Sequence, residues 1–146
     1  MLTTLLSAAL LVAITVVVHA FGISLLLRYS TNLNAHALRS AWPIAWILLR
    51  LVWWLLLIHL VEIALWALFY QWRGCLPDAE TAFYFSGVTY ATIGYGDVVL
   101  AAPWRMLAPV EGLMGILMCA LSAGYLFAVL SHIYQARHQL KPGGAP

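Results

Sequence analysis

The sequence predicts an all-α membrane protein in which three transmembrane helices are joined with one short re-entrant helix. Of its 146 residues, 64% are hydrophobic and 8% are charged. The mean hydropathy is +0.93, outside the range of soluble globular domains. In water such a surface would aggregate, so the bilayer must be its solvent. Leu2 to Leu27, about Trp42 to Tyr70 and about Trp104 to Tyr134 each exceed the roughly 20 apolar residues that cross a hydrocarbon core of ~30 Å. Residues 79–91 are helix-compatible but too short to span, a length that fits a half-helix entering and leaving by one face.

The first segment resembles a secretory signal only superficially. It has no Arg or Lys ahead of its apolar run and no clear small-x-small cleavage site, so it is read as a mature helix. The connection that follows is polar from Ser30 to Asn34, then mildly amphipathic up to Pro43, which suits a first helical turn. A short interfacial helix is expected within it. Trp42, Trp46, Trp53 and Trp54 crowd one half of the second segment, where their rings suit the headgroup boundary. Residues 71–77 form a polar loop containing Gly74 and Pro77. Pro77 and Asp78 then signal a helix start, with Glu80 and Thr81 in its first turn. The chain therefore divides into a helix and connection at 1–41, a second unit at 42–134 and a short tail at 135–146.

Charge sets orientation and excludes some partners. Arg28, Arg39, Arg50, Arg137 and Lys141 fall on one side of the membrane, with Arg73 and Arg105 on the other. The positive-inside rule then places the N-terminus outside and the C-terminus in the cytoplasm, so the half-helix enters from outside. A net charge of +2 without a basic run gives no footprint for nucleic acid. Cys75 and Cys119 lack neighbours at metal-ligand spacing and are read as free structural thiols, Cys75 being the more exposed, with an inter-subunit disulfide at Cys75 as its alternative.

The short helix runs into TIGYGD, Thr92 to Asp97. Irregular backbone at membrane depth survives only where protein buries it or where it lines a polar cavity. Alternating Gly94 and Gly96 with Ile93 and Tyr95 allows positive φ at every second residue, so successive carbonyls can face one way. A column of oxygens attracts cations. A partly dehydrated monovalent ion needs more oxygens than one strand presents, and symmetry must supply the rest.

TIGYGD resembles the selectivity-filter signature of the potassium channels. From Trp42 to Tyr134 the chain is similar to their two-helix pore module: outer helix 42–70, turret 71–78, pore helix 79–91, filter 92–97 and inner helix 104–134. The first helix lies outside it. The resemblance implies a homotetramer in the bilayer that conducts K+ passively, is not an enzyme, and holds no cofactor beyond bound K+. The carbonyls of Thr92, Ile93, Gly94 and Tyr95, with the Thr92 hydroxyl, would line stacked K+ sites in a fourfold ring, and Gly96 would form the outer mouth. The Tyr95 side chain would turn away from the ion towards Tyr84, Phe85 and Tyr90. Asp97 would sit at the extracellular end, its plainer alternative being a turn or cap residue. The C-terminal end of the pore helix would bring partial negative charge to Thr92.

The chain also departs from the family pattern. Several bacterial relatives carry a pore-helix Glu that pairs with the post-filter Asp, where this sequence has Val88. Glu111, early in the last helix, is a candidate to support the filter in its place, and its alternative is a site near the outer interface. Gly112 and Gly115 are candidates for an inner-helix hinge or for close packing. Glu62 follows His59 by one helical turn; the two can pair or contribute to a metal site, for which a single HxxE is a weak signal. The lack of a regular Arg series leaves voltage sensing by a charged helix unsupported. Two other functions fit the same motif: a nonconducting or regulatory subunit that coassembles with other pore chains, and a poorly selective monovalent cation channel.

Overall fold

The computed structural model describes residues 2–30 and 41–139. Helix α1 spans Leu2–Ser30, α2 Ala41–Trp72, α3 Ala79–Tyr90 and α4 Leu107–Gln139, with a 3-10 turn at Trp104–Met106 leading into α4. The described residues contain no strand. The interfacial helix expected before Pro43, the charges Arg39 and Lys141, and most of the tail lie outside the described residues. The stretches Leu2–Arg28, Trp42–Trp72 and Trp104–Gln139 are long and apolar enough to cross a membrane. At ~1.5 Å per residue each is longer than a ~30 Å core, so tilt or protrusion accommodates the excess.

These three helices are apolar nearly all round because one flank meets lipid and the other meets protein. In α1 the buried residues Thr4, Leu11, Thr15, His19 and Leu26 recur at helical spacing along one stripe. Leu2, Leu6, Leu10, Val17 and Phe21 on the other flank are exposed. The stripe packs against both α2 and α4. At Gly22 the fit is close, since an added Cβ would meet Ile58 Cδ1 at 2.6 Å. Trp66 Nε1 donates to Thr15 Oγ1 at 3.0 Å, which ties α1 to α2 through a buried polar contact.

Two apolar clusters hold the helices together. One gathers Trp66, Tyr70, Ala82, Phe85, Leu107 and Met114 around α3. The other joins Leu26, Leu51, Leu55, Tyr125, Val129 and Ile133 at the opposite end. Between them lies a polar layer containing His19, Glu62 and Ser122. Along α4 the buried positions follow one face from Leu107 to Ile133. Leu113, Leu117, Leu121, Phe127 and Leu130 on the other face are exposed in the single chain. The cysteines depart from expectation: Cys119 is exposed and Cys75 is half-buried. Cys75 packs against the first cluster, because the turn after α2 folds back onto the core through the bond from Cys75 N–H to the Tyr70 carbonyl, 2.8 Å.

Candidate functional site

The start of α3 is fixed by Asp78. Its backbone is extended (φ −150°, ψ 170°), and its carboxylate accepts from Thr81 N–H at 2.8 Å and from the Thr81 hydroxyl at 3.0 Å. The backbone bond from Thr81 is the main reason the Asp78 carboxyl sits below the usual carboxylate range. This cap and Glu80 place negative charge at the end of the helix where unpaired N–H groups favour it.

The other end of α3 turns directly into the 92–97 segment. Ala91 N–H reaches the Gly87 carbonyl and Thr92 N–H the Thr89 carbonyl; Ile93 and Gly94 N–H both reach the Val88 carbonyl, at 2.8 and 3.2 Å. Val88 therefore anchors the segment through its main chain. Beyond this anchor φ alternates in sign: Thr92 is at +59°, Gly94 at +55° and Gly96 at +78°, while Ile93 and Tyr95 are not positive. A chain whose φ alternates in this way turns consecutive carbonyls towards one side. Glycine adopts positive φ freely, but a β-branched residue such as Thr92 does so only when its surroundings impose it. Residues 91–97 are all exposed in the single chain, and the partial negative charge at the α3 C-terminus points to this same place.

The support behind the segment comes from α2, α3 and α4 together. Glu111 is fully buried. Its Oε2 accepts from the Tyr70 hydroxyl at 2.7 Å and its Oε1 bonds the Ser86 hydroxyl, whose oxygen also lies 2.9 Å from the Ile63 carbonyl. One carboxyl group thus joins all three helices. At the far end of the segment the Tyr84 hydroxyl donates to Asp97 Oδ2 at 2.7 Å. That bond is the leading reason the Asp97 carboxyl lies below its ordinary range. A cavity of about 320 Å³ separates the segment from α3 and α4, lined by Tyr84, Val88, Thr92, Tyr95, Asp97 and Gly112 among others.

The aromatic residues divide differently from the simple cluster around Tyr95. Phe85 meets Tyr70 edge-on at 5.4 Å, and the Tyr90 hydroxyl bonds Glu62, so both are engaged on the far side of α3. Tyr95 itself is 70% exposed in the single chain. Gly112 and Gly115 both face the end of α3. An added Cβ would meet the Thr89 carbonyl at 3.4 Å from Gly112, but the Tyr90 carbonyl at only 1.9 Å from Gly115. α4 runs unbroken through both positions.

A family model described as an ion channel matches residues 56–132, just over half of the chain. This chain belongs to that ion-channel family. The match opens within α2 and closes within α4, so it contains α3, the 92–97 segment and Glu111, whereas α1 lies outside it. Neither the curated proteins nor the solved structures gave a match. As a channel the chain is a multi-pass membrane protein that passes ions across the bilayer, a transport function. The channel exposes the backbone of residues 92–97 at the end of a short helix whose position is fixed by buried hydrogen bonds.

Proposed function

We propose that this channel is a potassium-selective homotetramer. The observation that carries the reading is the alternation of φ at Thr92, Gly94 and Gly96 within TIGYGD. In a fourfold ring the carbonyls of Thr92, Ile93, Gly94 and Tyr95, with the Thr92 hydroxyl, replace the hydration shell of K+. Gly96 and Asp97 form the outer mouth. The exposure of residues 91–97 in the single chain supports assembly, since irregular backbone at membrane depth needs cover that lipid does not provide. The charge distribution supports an N-terminus outside and a C-terminus in the cytoplasm.

The test is cation flux through purified protein in liposomes, comparing K+, Rb+ and Na+. Potassium and rubidium should pass and sodium should not; equal sodium and potassium flux would refute the selectivity. An intact tetramer without flux would mean that the chain serves as a regulatory subunit. Gly94→Ala adds a Cβ where φ is +55°, a conformation that costs an L residue roughly 1–2 kcal/mol. Each ring contains four such positions, so flux should fall to background while membrane insertion is retained.

A further inference from the structure

The polar layer between the two apolar clusters includes none of residues 92–97. His19 on α1 lies with Nδ1 2.9 Å from Glu62 Oε1. His59, one turn before Glu62 on α2, has Nδ1 3.3 Å from Glu62 Oε2. Tyr90, the last residue of α3, bonds the same oxygen, and its hydroxyl is 3.0 Å from His59 Nδ1. Ser122 on α4 sits 3.0 Å from His59 Nε2. Glu62 is fully buried and His19 is 1% exposed.

We propose that His19, His59 and Glu62 form a binding site for a divalent transition-metal ion of the zinc class, which would bridge α1 to α2 beside Tyr90. The donor set is two imidazoles and a carboxylate, which suits Zn2+ and leaves a fourth position for the Tyr90 hydroxyl or a water. The geometry fits as well. One donor atom from each of the three residues lies within 4.8 Å of the others. Tetrahedral bonds of ~2.0–2.1 Å place neighbouring ligand atoms about 3.4 Å apart. His19 Nδ1 lies 2.9 Å from Glu62 Oε1 and His59 Nδ1 3.3 Å from Oε2, so each imidazole faces a different oxygen of the carboxylate at within about 0.5 Å of that spacing.

His19, ligating through Nδ1, would carry its proton on Nε2, which is buried and has no hydrogen-bond partner among the described residues, so the metal bonds have to offset that unpaired donor. One further observation fits a ligating histidine. His59 has its second nitrogen held by Ser122, the outer contact by which a ligating histidine is oriented. All three side chains stand on helices, which hold a site more firmly than loops. A cavity of about 330 Å³, lined by Val16, His19, Met118 and Leu121 among others, lies beside His19.

The test reads bound metal rather than ion flux, so it stands or fails independently of potassium selectivity. The full-length channel, stripped with chelator in detergent and confirmed intact by size exclusion, is dialysed against Zn2+ and its metal content measured. Co2+ is titrated in parallel, because tetrahedral coordination gives intense visible absorption. The expected result is one ion per chain. His19→Gln, which can still hydrogen-bond Glu62, and His59→Ala should each weaken binding by at least about 100-fold, since loss of a ligand exceeds the 10–100-fold cost of losing an outer-shell partner. His132→Ala and His138→Ala, elsewhere on α4, should leave binding unchanged. Folded wild-type channel that takes up less than about a tenth of an equivalent at ~100 μM Zn2+, far above the range of structural zinc sites, would overturn the proposal. Equal uptake by wild type and His19→Gln would do the same.

Discussion

Substituting Gly115 by alanine drives a methyl group into main chain. The added Cβ would lie 1.9 Å from the Tyr90 carbonyl oxygen and 2.8 Å from its carbon, where ordinary contact begins near 3.4 Å. The inner helix and the end of α3 must therefore part by about 1.5 Å, the difference between the contact the Cβ would make and an ordinary one. Overpacking costs ~1–3 kcal/mol, and an obstacle made of backbone belongs at the upper end. Alanine recovers about 1 kcal/mol over glycine in a helix interior, leaving a net loss of ~2 kcal/mol per chain. That is roughly a 30-fold shift towards unfolded protein at 1.4 kcal/mol per tenfold. Gly112→Ala is the matched control, because its Cβ meets the Thr89 carbonyl at an ordinary 3.4 Å. The assay is thermal stability of the detergent-solubilised channel by fluorescence-detected size exclusion, followed by potassium flux in liposomes. Gly115→Ala should melt well below wild type and conduct poorly, while Gly112→Ala should stay close to wild type. Equal Tm and flux for the two variants would refute the packing assignment.

Removing the Glu111 carboxyl should also destabilise the channel. Glu111→Ala leaves the buried Tyr70 hydroxyl without its acceptor and Ser86 with one partner fewer, and a buried unsatisfied group costs ~1–3 kcal/mol; Glu111→Gln, which keeps an acceptor, should lose less than half as much Tm. Tyr84→Phe removes the donor that holds the Asp97 carboxyl low. A carboxyl whose folded value is depressed contributes above the ordinary carboxylate range and loses that contribution as pH falls through the folded value. Flux measured against external pH should therefore have its acid limb below about 4 in wild type and nearer 4 in Tyr84→Phe; identical profiles would separate Asp97 from the conducting state.

The parts of this architecture that were legible in the sequence are those with local causes. Long apolar runs mark the three spans whatever they pack against, and Pro77-Asp78 marks the start of α3 because a cap bonds an amide three residues away. TIGYGD is legible for the same reason, its glycines recording φ values set within a few residues. The remainder depends on contacts between distant parts of the chain. His19 meets Glu62 across 43 residues, and nothing near position 19 announces that partner. Only the stripe of Thr4, Leu11, Thr15, His19 and Leu26 on one flank of α1 hints at a protein-facing side. Thr92 at positive φ was equally hidden, since threonine disfavours that region and only the bonds to Val88 and Thr89 impose it. Gly115 was visible as a small residue, but its 1.9 Å approach exists only once α3 is placed.

The contact between His19 and Glu62 also bears on how the chain enters the membrane. An acidic side chain in the middle of an apolar segment opposes insertion, by about 2.5–3.5 kcal/mol on scales for comparable charged residues. Synthesis runs from the N-terminus, so α1 emerges first and carries His19 and Thr15 into the bilayer before α2 delivers Glu62 and Trp66. The hydrogen-bonding partners are therefore waiting when the costly residue arrives. Helix α1 lies outside the part of the chain that the ion-channel family model matches, yet it is the segment that gives Glu62 somewhere to go as α2 leaves the translocation machinery.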